Sequence, residues 1–163
     1  MSVNMQSYRK VYAKASLDES EVLDSPISQF IAWLKEAEES KTIEEVNAMT
    51  LTTVNASGRP KSRVVLLKQV SQEGFEFYTN YKSDKAKDIA ENSQVCLSFF
   101  WPSLERQIHI VGHAQKLSEE ASSAYFNSRP KGSQLGAWVS PQSETIPNRE
   151  FLENRLSELE AEY

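Results

Sequence analysis

Eight side chains in the middle of the sequence can hold a phosphate or flank a planar ring: Arg63, Lys68, Lys85, Arg106, Gln107, Tyr125, Arg129 and Ser133. Guanidinium and ammonium groups make the strong, charge-assisted hydrogen bonds that phosphate oxygens accept. Tyr125 and Arg129 are four apart, so a helix puts a ring and a guanidinium on one face at its end. Ser133 follows just beyond the break that Pro130 imposes. This trio suits a phosphorylated ring, and a solvated helix end accounts for it equally well. His109 and His113 have the spacing of a metal pair on a helix, but Ile108, Ile110 and Val111 put them on a strand. With only Glu105 nearby, no metal site is expected. Cys96, between Val95 and Leu97, reads as a small buried hydrophobe. The five glycines (58, 74, 112, 132 and 136) form neither a dinucleotide fingerprint nor a P-loop, and no G-x-S-x-G elbow occurs. Those enzyme classes are set aside, and spacing alone reveals no flavin.

Charge is unevenly spread. Residues 59–131 hold eleven Lys or Arg against eight acids, a net +3, whereas residues 1–58 and 132–163 are each −4. A positive middle between acidic ends suits a small anionic ligand in a cleft, though ordinary surface charge gives the same distribution. The total of −5 speaks against a nucleic-acid partner, whose footprint would be basic. No apolar run is long enough for a membrane span, and the first twenty residues lack the apolar stretch of a leader. A single cysteine excludes an internal disulfide, so a reducing, cytoplasmic setting is the simplest expectation.

The elements that must position these groups follow from periodicity. Residues 1–24 are polar and aperiodic and read as an arm, mobile or ordered only by a partner or ligand. Residues 25–163 then form one domain of a length that can bury a core. Ser25 and Pro26 open a helix in which Ile27, Phe30, Ile31 and Leu34 share a face, ending near Ser40. Strands are expected near 48–54, 62–70, 75–79, 95–101 and 106–116, with a short helix over 83–91 that Ser83 can cap. A helix over 119–128, a short segment at 135–139 and a last helix from Asn148 complete a mainly β, α+β chain. In the last helix Leu152, Leu156, Leu159 and Tyr163 form one stripe. The strand Arg63 to Lys68 is apolar on both faces, Val64 and Leu66 against Val65 and Leu67. Both faces need cover, as in a closed barrel or at a subunit interface. The pattern stops at Tyr163 without a helix-ending signal, which suggests a C-terminal truncation.

RVVLLK at 63–68, FYTN at 77–80, SDKA at 83–86, LERQ at 104–107 and YFNSRPKGSQLGAWVSPQS at 125–143 together resemble, in order, the pyridoxine (pyridoxamine) 5′-phosphate oxidase family. The likeness runs from about Arg9 to the end, and the 125–143 stretch is its most specific part. It implies a split β-barrel of the FMN-binding type and a homodimer with FMN between the subunits. It also implies oxidation of pyridoxine 5′-phosphate or pyridoxamine 5′-phosphate to pyridoxal 5′-phosphate, with O2 as acceptor. Carried onto this sequence, Arg63, Val64, Val65, Leu66, Leu67 and Lys68 resemble an FMN-binding strand, with Tyr78, Thr79, Lys85, Gln107, Gln142 and Ser143 as further FMN contacts. Lys68, Tyr125, Arg129 and Ser133 resemble the substrate-phosphate site, and Arg9, Lys10, Val11 and Tyr12 an arm segment closing over the substrate.

Two departures stand out. Asp84 occupies a place where the family usually has Arg, and it is expected to turn outward and pair with Lys82, Lys85 or Lys87. The family's R-x-H motif, a flavin-contacting Trp and another FMN-binding Arg have no counterpart before Tyr163, so no catalytic residue is identified and poor turnover is expected. The alternatives are a non-enzymatic flavin- or haem-binding split barrel, or an inactive dimerising domain.

Overall fold

The computed structural model describes residues 2–163. Period-2 alternation builds its centre: in β1 (Ala48–Val54), Met49, Leu51 and Thr53 are buried while their neighbours are half-buried. β1 pairs antiparallel with β2 (Pro60–Ser71) on one side and β4 (Gln94–Trp101) on the other. β3 (Gly74–Phe77) extends the sheet beyond β2, and β5 (Arg106–His113) extends it beyond β4. The order β3-β2-β1-β4-β5 is a curled antiparallel sheet, half of a split barrel, with helices at its flanks. The expected α+β class is therefore what the chain builds.

α1 (Pro26–Ser40) covers the inner face of this sheet. Ser25 caps it, its hydroxyl accepting from the Ser28 amide at 3.3 Å, and Pro26 holds the first helical position. Phe30 meets Phe75 edge-on and Phe99 at a tilt, both with ring centroids at 4.9 Å. With Ala37, Met49, Leu51, Leu67, Leu97 and Trp101 they form the core. Trp101 donates from Nε1 to Val46 O at 3.1 Å, so its polar edge is satisfied inside. Arg106 anchors α1 to β5, its guanidinium 4.9 Å from the Trp33 ring and 2.6 Å from Glu36.

The remaining helices are α2 (Asp84–Glu91), α3 (Glu119–Ser128), α4 (Lys131–Val139) and α5 (Arg149–Glu162). α4 is a full helix where only a short segment was expected, and Pro130 serves as its N-cap as well as ending α3. Strand β3 ends at Phe77, which puts Tyr78 and Thr79 in a loop, and β5 ends at His113, three residues early. In α5, Leu152, Leu156 and Leu159 are half-buried, but Tyr163 is exposed. Ser83 stands at the N-cap of α2 without capping it, because its hydroxyl donates to Asn80 O at 2.7 Å.

The two-faced strand is covered on one side only. Leu67 is in the core, while Val64 on the opposite face is 68% exposed. That outer face continues through Phe100 (63% exposed) on β4 and Val111 (76%) on β5. The barrel does not close within one chain.

Candidate functional site

A broad groove of about 1750 Å³ runs between β2, the loop after β3, α2, α3 and α4. That exceeds the few hundred to 1,000 Å³ usual for one small ligand, so it has room for more than one ring system. It collects most of the candidate residues. Arg63, Val64, Val65, Leu66 and Lys68 line it from β2, Tyr78 and Thr79 from the loop, and Lys85 from α2. Tyr125, Arg129 and Ser133 line it around the α3–α4 junction, with Gln142 and Ser143 beyond α4. Along β2, Arg63 and Lys68 are five residues apart, roughly 16 Å at strand rise. Two cationic ends of one groove are thereby fixed by a single strand.

At the first end, Arg63 donates from Nη1 to Thr53 Oγ1 at 2.8 Å and to Leu51 O at 3.2 Å. Thr53 in turn donates to buried Asp88 at 2.7 Å, and Asp88 lies 3.9 Å from Arg63 Nη2. The guanidinium is therefore held by β1 and α2 before any ligand arrives. Lys85, nearly buried, donates to Gln142 Oε1 at 3.0 Å and Ser83 Oγ at 3.3 Å. Burial pulls its ammonium below the usual lysine range, the Arg63 guanidinium adds to this, and Asp84 opposes it. α2 starts without a side-chain cap, with Asp84 in its first turn and Asp84 and Lys85 lining the groove.

At the other end, Tyr78 stacks on Tyr125 with ring centroids 3.7 Å apart and 9° between planes. Burial raises the Tyr78 hydroxyl above its usual range, and Glu76 raises it further. Phe126 meets Trp138 edge-on at 6.4 Å, and Arg129 lies 5.9 Å from the Phe126 ring.

Seven candidates lie elsewhere. Arg106 is turned toward α1, held by Glu36 and the Trp33 ring. Leu67 points into the core, 4% exposed, and does not line the groove. Gln107 sits on the outer face of the sheet, opposite Phe100, its amide 2.9 Å from His109 Nε2. Arg9, Lys10, Val11 and Tyr12 lie away from the groove, where the arm is docked on the turn before β5. Lys10 Nζ is 3.2 Å from Glu105 Oε1, the Lys14 amide donates to Glu105 Oε2 at 3.0 Å, and Lys14 Nζ donates to Ser103 O at 2.6 Å. The Lys14 amide is also the main reason the Glu105 carboxyl lies below its usual range.

Asp84 does not pair with Lys82, Lys85 or Lys87. Its partner is Lys61 on β2, at 3.3 Å. Sequence reasoning missed Lys61 as a groove residue, although its place two before Arg63 puts it on the same strand face. Trp138 and Tyr81 were missed as well, and no spacing signal marks them. Among the described residues no cluster of His, Cys, Asp or Glu could hold a metal, and no helix is long and apolar enough to cross a membrane.

An antiparallel split barrel with a cationic groove beside it defines the class. The family model described as pyridoxamine 5′-phosphate oxidase matches residues 19–162. A pyridoxine/pyridoxamine 5′-phosphate oxidase of Flavobacterium johnsoniae is 55% identical over 160 residues, covering 98% of this chain and 75% of the relative. The enzyme of that name from Christiangramia forsetii is 50% identical over 163 residues, covering 100% and 76%. The crystal structure of PhzG from Burkholderia lata, in complex with tetrahydrophenazine-1-carboxylic acid, superposes with a TM-score of 0.83 at 26% identity, covering 90% of this chain and 73% of that one. A pyridoxamine 5′-phosphate oxidase-related, FMN-binding protein from Nostoc punctiforme, 19% identical with a TM-score of 0.62 over 81% of this chain and 73% of its own, shares the fold. This chain belongs to the pyridoxamine 5′-phosphate oxidase family.

Proposed function

We propose that the chain binds FMN and oxidises pyridoxine 5′-phosphate or pyridoxamine 5′-phosphate to pyridoxal 5′-phosphate. The observation that carries the reading is β2, which places two cationic ends about 16 Å apart in one groove, room for two phosphorylated ligands. The donor set at the Arg63 end fits an FMN phosphate: a preset guanidinium and a desolvated ammonium. When bound, FMN would supply the two-electron oxidant and O2 would be the terminal acceptor, reduced to hydrogen peroxide; an alcohol C4′ would become the aldehyde directly, and an amine C4′ an imine that water hydrolyses to the aldehyde with release of ammonia.

The protein's part is to bind and orient. Val64 to Leu66 offer the ring system an apolar strand edge, while Tyr78, Thr79, Gln142 and Ser143 close its sides. Lys68, Arg129, Tyr125 and Ser133 hold the substrate phosphate, remote from the reacting carbon, so its binding energy fixes geometry there. The arm of residues 1–24 leaves Glu105 and brings Arg9 to Tyr12 over the substrate, and residues 25–163 act as one flavin-binding unit in a reducing cytoplasm. Two copies pair through the uncovered outer face, which brings Gln107 of each to the other's groove.

The absorption spectrum of purified protein tests this. Oxidised-flavin bands that bleach on anaerobic addition of pyridoxine 5′-phosphate are the expected result. A haem Soret band would support the non-enzymatic rival, and neither absorption would leave a dimerising domain.

A further inference from the structure

The groove wall contains two ion pairs of the same build. Lys61 and Arg63 are two apart on β2 and leave the same strand face, while Asp84 and Asp88 are four apart and share one face of α2. Strand and helix are set so that these spacings match: Lys61 meets Asp84 at 3.3 Å, and Arg63 meets Asp88 at 3.9 Å. The two rungs differ in surroundings. Side-chain exposure is 20% and 8% for Arg63 and Asp88, against 42% and 49% for Lys61 and Asp84. Thr53 braces the inner rung, and Asp88 stands behind the wall. Lys61 and Asp84 both line the groove itself, beside Lys85, whose ammonium responds to the Asp84 charge.

A carboxylate in the wall of an anion subsite repels the ligand that the neighbouring cations attract. We propose that the Lys61–Asp84 pair is a compensating element that sets how strongly this end of the groove takes a phosphate. Lys61 neutralises Asp84, so the subsite presents the charge of Lys85 beside the braced Arg63–Asp88 pair. The inference rests on reading this end as the one that takes the FMN phosphate. Removing Lys61 leaves Asp84 uncompensated and weakens a phosphorylated flavin. Removal of Asp84 frees Lys61 to face the phosphate and tightens it, and removing both returns the subsite to its starting charge. Riboflavin, which carries the same ring system without the phosphate, is indifferent to all three changes.

Fluorescence-quenching titrations of the full chain with FMN and with riboflavin test the pair, using Lys61→Ala, Asp84→Ala and the double variant at low salt. The expected result is a loss of about tenfold for FMN with Lys61→Ala, a gain of about threefold with Asp84→Ala, and a double variant within about twofold of the unaltered chain. Riboflavin affinity should stay within about twofold throughout, and the FMN effects should shrink at high salt. Melting temperatures check that each variant folds, with Lys61→Met and Asp84→Asn replacing any that does not. A double variant as weak as Lys61→Ala, or riboflavin changing in step with FMN, overturns the compensating role. If the unaltered chain binds FMN and the variants do not couple, only this inference falls; if it binds neither flavin, the FMN reading falls with it.

Discussion

Arg129 and Lys85 illustrate how one groove can separate two phosphates residue by residue. Arg129 ends α3 and lines the groove beside Tyr125 and Ser133. Arg129→Ala should weaken pyridoxine 5′-phosphate by about 2 kcal/mol, roughly thirtyfold, while FMN affinity stays within about twofold. Equal losses in paired titrations would reject the assignment of Arg129 to the substrate. Lys85 makes a different prediction because its ammonium is already disfavoured by burial and by Arg63. For a lysine with a lowered folded pKa, the charged form opposes folding at neutral pH, and that opposition fades as pH rises toward 10.5. Lys85→Met should therefore raise the melting temperature of the ligand-free protein while weakening FMN by roughly tenfold. An arriving phosphate favours the ammonium, so FMN affinity in the unaltered protein should be full at neutral pH and fall as pH rises through the lowered Lys85 value. Riboflavin should show no such fall, and a flat FMN profile up to pH 10.5 would show that Lys85 does not meet the phosphate.

At the scale of elements, the N-terminal arm is tethered mainly by one carboxylate. Glu105, in a left-handed backbone conformation at the turn before β5, takes both the Lys14 amide and Lys10. Its carboxyl is held below the usual 4.5, so this tether is complete above that value and is lost as pH falls through the lowered one. Glu105→Ala should release the arm at neutral pH and speed tryptic cleavage after Lys10 and Lys14 severalfold, leaving the melting temperature unchanged. Unaltered cleavage would mean that Lys14 Nζ on Ser103 O holds the arm by itself. What the sequence discloses about such elements depends on how local their causes are. The cap at Ser25, the alternation of β1 and the break at Pro130 are contained in a few neighbouring residues, and they were legible. α4 was not, since Gly132 and Gly136 lower its intrinsic helix propensity and its half-apolar pattern runs for barely two turns. The partners of Asp84 and Glu105 were hidden for another reason: Lys61 lies 23 residues from one and Lys14 lies 91 from the other, distances that only the folded sheet closes. Most groove residues came from the ordered family motifs, but those motifs did not show which of them one chain brings together.

The whole molecule presents a sheet with one face buried under α1 and the other open. Across the open face, Val64 aligns with Thr50, Ser98 and His109, and the neighbouring row runs Ser62, Thr52, Cys96, Val111. Phe100 stands beside Gln107 in the row on the other side. Small and apolar side chains in adjacent rows, without a charge among them, make a flat patch of the kind that partner subunits cover. A twofold axis through this patch would bury it against itself. The same axis explains how Gln107, outside its own chain's groove, could serve a flavin: each subunit would lend it to the other. Light scattering of the unaltered protein at micromolar concentration should therefore give a dimer. Val111→Asp, on the outer face but outside the groove, places an unpaired charge in the patch and should weaken association by about 3 kcal/mol, on the order of a hundredfold. FMN binding should fall with dimerisation in that variant and recover as protein concentration is raised. Gln107→Leu should leave the dimer intact and weaken FMN. A well-folded monomer that binds FMN at full strength would show that one chain's groove is sufficient, and the shared-site arrangement would be wrong.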